Sequence, residues 1–318
     1  MPADPVIDVD RVTKRFAGHT AVEDLSLRVP RGAVYGLLGP NGAGKTTTIR
    51  MVMNITMPDD GSIRLFASSS GGRDLSHRIG YMPEERGLYR KMKVLELLVF
   101  LAETKGVPGK RARGDAERWL ERLELSEWAM KRVDDLSKGM QQKVQFIATV
   151  LHAPELLILD EPFAGFDPVN TQRMKDEVVE LARKGTTVLF STHIMEQAER
   201  MCDSVCIIAK GRKVVDGPLA EVKRKHGGRH VILAVEQGSD IVARLTADRR
   251  LVAKADDYGR YAEVELAEGA DPQELLGSLL REGARVTRFE VAEPTLNKIF
   301  IDLVGGTAAA GIEERRDA

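Results

Sequence analysis

The loop from Gly39 to Thr46 has the residue types and spacing needed to hold a phosphate chain. Its glycines let backbone N–H groups curl around an anion, and the N-terminus of the helix that follows adds positive potential. Lys45 supplies a mobile charge, and the Thr46 hydroxyl is a ligand for Mg²⁺. A glycine-rich turn without a ligand is the alternative, which the lysine and threonine disfavour. The pattern predicts contacts to a nucleotide from Gly39, Pro40, Asn41, Gly42, Ala43, Gly44, Lys45, Thr46 and Thr47.

Two carboxylates, Asp160 and Glu161, follow the apolar run from Leu156 to Leu159. The run predicts a buried strand, and ligands of parallel sheets lie at the carboxyl ends of the strands. We expect Asp160 to hold Mg²⁺. Glu161 leaves the chain on the opposite side, where we expect it to polarise the water that attacks a γ-phosphate. An apolar run ending in Asp-Glu is common, so this prediction depends on the upstream loop.

The elements that position these residues form a parallel β-α-β pattern. Short apolar runs predict strands from Gly32 to Gly39, from Leu156 to Leu159 and from Thr187 to Phe190, and a helix begins at about Lys45. An amphipathic stretch separates the last two strands. Its apolar face comprises Val169, Met174, Val178 and Leu181.

Three further segments complete the first 225 residues. Alternating apolar and polar residues from Val6 to Val29 predict edge strands. Residues from about Arg86 to Leu151 are mostly helix-forming and predict an inserted helical lobe. Ser204–Ala209 and Arg212–Val215 flank Lys210-Gly211, which predicts a hairpin turn.

A change of composition at residues 225–229 predicts a domain boundary. We therefore divide the chain into a first domain, residues 6–225, a small second domain, residues 229–304, and a disordered tail, residues 305–318. The patterned segments of the second domain are Val231–Val235 and Tyr261–Leu266, which are strand-like, and Pro272–Glu282, which is helical.

The segment from Leu136 to Lys143, with the sequence LSKGMQQK, resembles the signature motif of ABC ATPases. Other motifs of that family follow in the same order. Phe16 resembles its adenine-stacking aromatic residue, Gly165–Asp167 its D-loop, and His193 its switch histidine. The resemblance covers Val6 to about Val222 and separates this chain from other proteins with a phosphate-binding loop.

The resemblance implies an α/β fold, namely a P-loop NTPase with a RecA-like core, an antiparallel β subdomain and an inserted helical subdomain at about 86–151. A small α+β domain follows at the C-terminus. The resemblance also implies an ATPase in which two cassettes close head to tail, each loop facing Ser137 and Gly139 of the other across ATP and Mg²⁺. The implied catalytic residues are Glu161, His193 and Lys45, and the implied metal ligands are Thr46, Asp160 and Glu84.

The sequence departs from the usual family motifs at three positions. Lys138 replaces a glycine and Met140 a glutamine of the signature, so we expect phosphate contacts only from Ser137 and Gly139. Glu84 replaces the glutamine that contacts Mg²⁺ or its water and senses the transmembrane domain, and a carboxylate accepts but does not donate as an amide does. The run from Pro83 to Tyr89 is similar to cassettes of the sodium-extruding NatA type, which work with export permeases and carry a C-terminal appendage.

Composition limits the partners and the compartment. The 47 basic and 48 acidic residues leave a formal charge of -1, so no global field favours nucleic acid. The apolar run Val94–Ala102 contains Glu96 and is far shorter than the roughly 20 residues of a membrane helix. Met1–Asp10 lacks the pattern of a signal peptide. We therefore expect a cytoplasmic protein held at the inner face of the membrane by a separate permease.

Several alternatives remain open at this point. The second cassette is expected to be another copy of this chain, because both half-sites are present, but a related chain is not excluded. The pathway of the transported substrate lies in the permease, so this sequence does not show whether the substrate is sodium, a drug or a lipid. A soluble clamp acting on nucleic acid or the ribosome is the alternative function, and a scaffold without ATP turnover is another.

Overall fold

The computed structural model describes residues 4–67, 75–85, 87–227, 230–237 and 239–313. Contacts divide the chain into a first unit, residues 1–219, and a second unit, residues 220–318. The strands of the first unit are β1 (Ile7–Phe16), β2 (His19–Val29), β3 (Val34–Leu38), β4 (Asp60–Leu65), β5 (Ile79–Met82), β6 (Leu156–Asp160), β7 (Thr187–Thr192), β8 (Ser204–Ala209) and β9 (Arg212–Pro218). Its α-helices are α1 (Lys45–Val52), α2 (Val94–Thr104), α3 (Gly109–Arg122), α4 (Lys138–Val150), α5 (Pro168–Arg183) and α6 (Met195–Met201).

The central sheet of the first unit has the order β5-β6-β7-β3-β8-β9, and all neighbours are parallel except β8 and β9. Every residue of β3, β6, β7 and β8 is buried, as expected for strands covered on both faces. Leu38 pairs with Thr192, and Asp160 pairs with Ser191. The carboxyl ends of β3, β6 and β7 therefore meet at one edge, and the predicted parallel core is confirmed.

A second sheet of three antiparallel strands has the order β2-β1-β4. The β1–β2 hairpin turns at Ala17 and Gly18, where Gly18 has a φ of 76°. Phe16 pairs with His19 across this turn. The predicted antiparallel subdomain is confirmed, and it places Phe16 at the end of a two-stranded ribbon.

The inserted helical subdomain consists of α2, α3 and α4, with short 3₁₀ helices at Ser126–Trp128 and Val133–Asp135. Trp119 of α3 packs edge-on against Phe146 of α4, with ring centroids 6.0 Å apart. This confirms the predicted helical lobe.

The apolar face predicted for α5 differs from the structure at one residue, because Val169 is 79% exposed whereas Met174 and Val178 are buried. Val169 lies in the first turn of α5, before the helix reaches the sheet.

The predicted hairpin at Lys210-Gly211 is confirmed. The two residues connect β8 and β9 with φ values of 50° and 78°. Positive φ at both central residues is the requirement of a type I′ turn, which follows the twist of an antiparallel pair.

The helix α7 (Leu219–His226) begins at the last residue of the first unit and continues in the second, so the division into units falls earlier in the chain than the predicted boundary. The other elements of the second unit are β10 (His230–Gln237), α8 (Ser239–Thr246), β11 (Val252–Asp257), β12 (Ala262–Leu266), α9 (Pro272–Arg281), β13 (Arg285–Ala292) and α10 (Leu296–Glu313). The sheet is antiparallel with the order β11-β12-β10-β13, and α8 and α9 pack on it. The α+β class is confirmed.

The end of the chain was predicted to be disordered from Gly305. The structure continues α10 through Glu313. Residues 314–318 lie outside the described residues. Among the helices that are described, none has both the length and the apolarity to span a membrane.

Candidate nucleotide-binding site

The glycine-rich loop connects β3 to α1 and has a backbone that only glycine accommodates at two positions. Gly39 and Gly44 have φ values of 150° and 106°. A Cβ at Gly39 would lie 2.1 Å from the carbonyl oxygen of Ile208, and one at Gly44 would lie 2.5 Å from that of Ala21. The loop therefore bends as tightly as a phosphate-binding loop must, and it directs the N-terminus of α1 into the space in front of it.

Lys45 is the first residue of α1, and its side chain is only 6% exposed. Its Nζ donates to the carbonyl oxygens of Gly39, at 2.8 Å, and of Pro40, at 3.2 Å. The same ammonium lies 3.4 Å from Oε1 of Glu161. One buried positive charge is thus held between the loop and the carboxylate that follows β6.

Asp160 ends β6 and is 1% exposed. Its Oδ1 accepts the hydroxyl of Ser191 on the neighbouring strand, but its Oδ2 is buried without a hydrogen-bond partner among the described residues. An unsatisfied carboxylate oxygen inside a protein is unfavourable, and a cation or its bound water would satisfy it. Asp160 therefore fits the role of a magnesium ligand.

Tyr81 lies near Asp160. Burial of Tyr81, and then the charge of Asp160, raises the pKa of its phenol to about 12, so this phenol stays protonated.

Glu161 follows directly and has a φ of 49°, an uncommon value for a residue with a side chain. Its N–H donates to Oγ of Ser191 at 3.1 Å, which holds this conformation. The two carboxylates therefore have different partners. Asp160 accepts from Ser191, whereas Oε1 of Glu161 lies 3.0 Å from Nδ1 of His193. An ionised carboxylate only accepts, so Nδ1 carries the proton. Such local strain, of about 1–3 kcal/mol, is typical of functional sites.

A cleft of about 450 Å³ opens in front of the loop. Among the predicted residues, those that line it are Phe16, Asn41, Gly42, Gly44, Lys45, Thr46, Thr47, Glu84 and Glu161. Phe16 is 51% exposed, and the ammonium of Lys14 lies 5.6 Å from the centroid of its ring. Gly39, Pro40, Ala43, Asp160 and His193 are not among the lining residues, but they lie in or beside the loop and strand ends just described.

Ser137 and Gly139 of the signature segment do not line this cleft. Ser137 is exposed and caps α4, because its Oγ accepts the N–H of Met140 at 3.3 Å. Gln142 of the same helix donates to the carbonyl oxygen of Pro162 at 2.9 Å. The signature segment therefore begins a capped helix outside the cleft of its own chain, and α4 is linked to the segment after Glu161.

The sequence analysis missed two residues of the site. His19 lines the cleft, and the signal for it was the Ala17-Gly18 turn, which places residue 19 opposite Phe16. Ser191 contacts both Asp160 and the backbone of Glu161. A serine at the end of a buried strand carries no distinctive pattern, so only the register of β6 and β7 reveals its role.

The chain was compared with known proteins. The family model "ABC transporter" matches residues 22–164, and the model "ATP-binding protein DrrA1-3-like, C-terminal domain" matches residues 217–304. The ABC transporter ATP-binding protein YhaQ of Bacillus subtilis is 42% identical over 300 residues, which cover 94% of this chain and 99% of that protein. The Nod factor export ATP-binding protein I of Burkholderia lata is 32% identical over 312 residues, covering 96% and 98%.

Among solved structures, one described as the ATP-binding subunit of an ABC transporter superposes with a TM-score of 0.65 at 31% identity. The match covers 70% of this chain and 93% of that one. The phosphate-binding loop, the paired carboxylates after β6 and the signature segment agree with these findings. The chain therefore belongs to the ABC transporter ATP-binding proteins and is the ATP-hydrolysing subunit of such a transporter.

Proposed function

We propose that this subunit binds ATP with Mg²⁺ in the cleft, closes on a second copy of itself and drives a separately encoded membrane permease that exports its substrate. The arrangement of Lys45, Glu161 and His193 beside the loop carries this proposal. Oε1 of Glu161 lies 3.4 Å from the ammonium of Lys45 and 3.0 Å from Nδ1 of His193, so one carboxylate contacts both a phosphate-binding cation and an orienting histidine. These are the groups that phosphoryl transfer to water requires.

The metal ligands in this proposal are Thr46, Asp160 and Glu84. The unpartnered Oδ2 of Asp160 supports it, because the buried oxygen gains a partner when the ion binds. Mg²⁺ would neutralise charge on the β- and γ-phosphates. Thr46 and Glu84 both line the cleft.

Glu161 would accept a hydrogen bond from the attacking water and so polarise it. His193 holds the carboxylate in place through Nδ1, and the ammonium of Lys45 supplies positive charge towards the γ-phosphate. Glu161 itself lies at the wall of the cleft, 9% exposed, where bulk water does not screen it.

The proposal for a dimer is supported by the position of the signature segment. Ser137 and Gly139 lie outside the cleft of their own chain, and the N-terminus of α4 is a ready site for an anion. In the closed pair, each α4 would direct Ser137 and Gly139 to the γ-phosphate held by the other copy. One chain contains both halves of such a site, so two identical copies suffice.

Export is the direction that the relatives support. The Burkholderia lata protein is named for Nod factor export, and the second unit matches a domain named after DrrA proteins. The run from Pro83 to Tyr89, of which Arg86 lies outside the described residues, is similar to that of NatA-type cassettes. We infer that the permease exports a drug-like molecule or sodium and that this subunit docks on its cytoplasmic side. No feature of the described residues favours a soluble clamp on nucleic acid.

The experiment is an affinity purification of tagged Glu161→Gln protein from detergent-solubilised cells with ATP and Mg²⁺ present. The variant should stall in the closed state and retain a protein with several membrane spans. Lys45→Ala, which binds ATP poorly, is the matched control and should retain less of it. Recovery of ribosomes or nucleic acid, or of no membrane protein, would contradict the proposal.

A further inference from the structure

The second unit contains a cavity that shares no lining residue with the nucleotide cleft. It lies among β10, α8 and the turn between β11 and β12, and its volume is about 300 Å³. That is the space of roughly ten water molecules and the lower end of the ~300–1,000 Å³ range of small-molecule sites. Leu233 and Val235 of β10 and Val242 of α8 form its apolar wall.

Small residues keep this cavity open. Ala243 of α8, Ala255 of β11 and Ala262 of β12 line it, together with Gly259 in the turn. Protein interiors are close-packed and contain few voids larger than one water molecule. A leucine at any of the three alanines would reach into the space, so the alanines leave room for a molecule that is not part of the chain.

The mouth of the cavity carries a guanidinium without a partner. Arg260 is exposed and forms no hydrogen bond or ion pair with the described residues. The other arginines between residues 239 and 292 have polar partners, namely Arg244, Arg249, Arg250, Arg281, Arg285 and Arg288. The Asp257 carboxylate at the same mouth already accepts the N–H of Gly259 at 2.7 Å.

An aromatic ring forms one side of the mouth. Tyr261 lines the cavity and stacks on Tyr258, with ring centroids 5.1 Å apart. The stack fixes Tyr261 next to Arg260. A planar guanidinium binds a carboxylate through two parallel hydrogen bonds, and Arg260 lies at a cavity with an apolar wall.

We propose that the second unit binds a small organic acid with an apolar body, which occupies the cavity, and a terminal carboxylate, which is held by Arg260. The guanidinium of Arg260, which has no ion-pair partner among the described residues, favours an anion, whereas the charge of Asp257 at the same mouth opposes it. This site is independent of the nucleotide cleft, and its test requires no ATP.

The test is calorimetric titration of the full-length chain, without nucleotide, with octanoate, octanamide and octylamine as the anionic, neutral and cationic probes. Octanoate should bind at one site, at least about tenfold more tightly than octanamide, because a charge-assisted hydrogen bond is lost with the amide. Octylamine should bind most weakly. Equal affinity for octanoate and octanamide, tighter binding of octylamine, or no binding of octanoate would overturn the proposal.

Variants locate the site and the charge. Arg260→Gln should lower the affinity for octanoate about tenfold and leave the affinity for octanamide unchanged. Arg250→Gln, outside the cavity, should change neither affinity. Asp257→Asn should raise the affinity for octanoate a few-fold, because it removes a negative charge near the bound carboxylate. The proposal fails if Arg260→Gln has no effect or if Asp257→Asn weakens octanoate.

A steric variant tests the chamber itself. Ala243→Leu, at an exposed position of α8 where leucine favours helix, should abolish binding of both octanoate and octanamide. Ala247→Leu, which lies just after α8 and outside the cavity, is the control. Unfolding midpoints of both variants near that of the parent exclude loss of the fold. Unchanged binding in Ala243→Leu contradicts the assignment of this cavity.

Discussion

Glu161 differs from its neighbour Asp160 in a way that defines the site at the scale of single residues. Asp160 continues β6 and faces Ser191, whereas the positive φ of Glu161 turns its carboxylate towards Lys45 and His193. Two adjacent carboxylates thereby acquire different surroundings. One has a free buried oxygen suited to a metal ion, and the other has cationic and hydrogen-bonding partners suited to orienting a water molecule.

Lys45→Ala should weaken ATP binding by about 10- to 150-fold, because charge-assisted hydrogen bonds contribute about 1.5–3 kcal/mol. Titration with a fluorescent ATP analogue measures the effect. Lys110→Ala, an exposed lysine of α3, is the control and should bind normally. Unchanged affinity in Lys45→Ala would show that the loop does not hold the phosphates in this way.

Glu84→Gln should change how ATP binding depends on Mg²⁺. With the metal chelated, the variant should bind ATP a few-fold more tightly, because a nearby like charge in a wet cleft costs about 1 kcal/mol. With Mg²⁺ present, half-maximal ATPase activity should require more metal, because one anionic ligand is lost. If the variant has the same ATP affinity and the same metal requirement as the parent, Glu84 is not part of the site.

The types and spacing of residues predicted most of this cleft, but not its local geometry. The sequence placed Lys45, Asp160 and Glu161 together because the loop and the strand each have a characteristic pattern. It did not predict the pairing of Phe16 with His19, or the contacts of Ser191. Those depend on strand register, which a single serine or histidine does not encode.

At the scale of elements, α4 connects the signature segment to the catalytic segment. Ser137 caps the helix, and Gln142 on the next turn donates to the carbonyl oxygen of Pro162, just after Glu161. We therefore expect a displacement of this helix to affect the position of Glu161. The same N-terminus would face the second copy in the proposed dimer.

Ser137→Asp separates the capping of α4 by Ser137 from its proposed contact with the γ-phosphate held by the second copy. Aspartate caps a helix about as well as serine, so the unfolding midpoint should stay near that of the parent. ATPase activity should fall by at least about tenfold, because the new charge faces a γ-phosphate in the closed pair. Ser137→Asn, which caps without a charge, is the control and should retain more activity than Ser137→Asp. Full activity in Ser137→Asp would contradict the trans contact.

Arg122 of α3 joins the helical lobe to α5 of the core through Glu177 and Glu180. Hydrogen bonds from Lys184 and then from Arg122 lower the pKa of Glu180 from 4.5 to about 2. A lowered folded-state pKa stabilises the protein above the unfolded value, and this contribution is lost as the pH falls through the folded value.

Glu180→Gln should therefore lower the unfolding midpoint at pH 7, and the difference from the parent should shrink between pH 4.5 and pH 2. Thermal unfolding followed by circular dichroism across this range measures it. Glu117→Gln, whose side chain is exposed and pairs with Arg113 at 3.8 Å, is the control and should show a small difference. A difference for Glu180→Gln that grows on acidification would contradict the ion-pair account.

The second unit was harder to predict than the first. Its strand β13 contains Arg285, Arg288 and Glu290, and most of its residues are exposed. Such a strand lacks the apolar run that identified β6 or β7. The sequence analysis therefore found β10, β12 and α9 but not β11 or β13, whose place in the sheet follows from their pairing partners.

At the scale of the whole molecule, the chain contains every part of two half-sites but does not bring them together. The cleft holds the loop and Glu161, and the signature residues Ser137 and Gly139 lie outside it. A second copy in head-to-tail orientation would complete two sites at once. ATP would then stabilise the pair, and hydrolysis would loosen it, which is how binding energy becomes a conformational change in the permease.

The most direct test is sedimentation of Glu161→Gln protein with ATP and Mg²⁺. The account predicts a species of twice the 35.1 kDa mass of one chain, formed with ATP but not with ADP, together with phosphate release at least about a hundredfold slower than in the parent. A species that remains at the mass of one chain with ATP bound, or phosphate release at the parental rate, would contradict it.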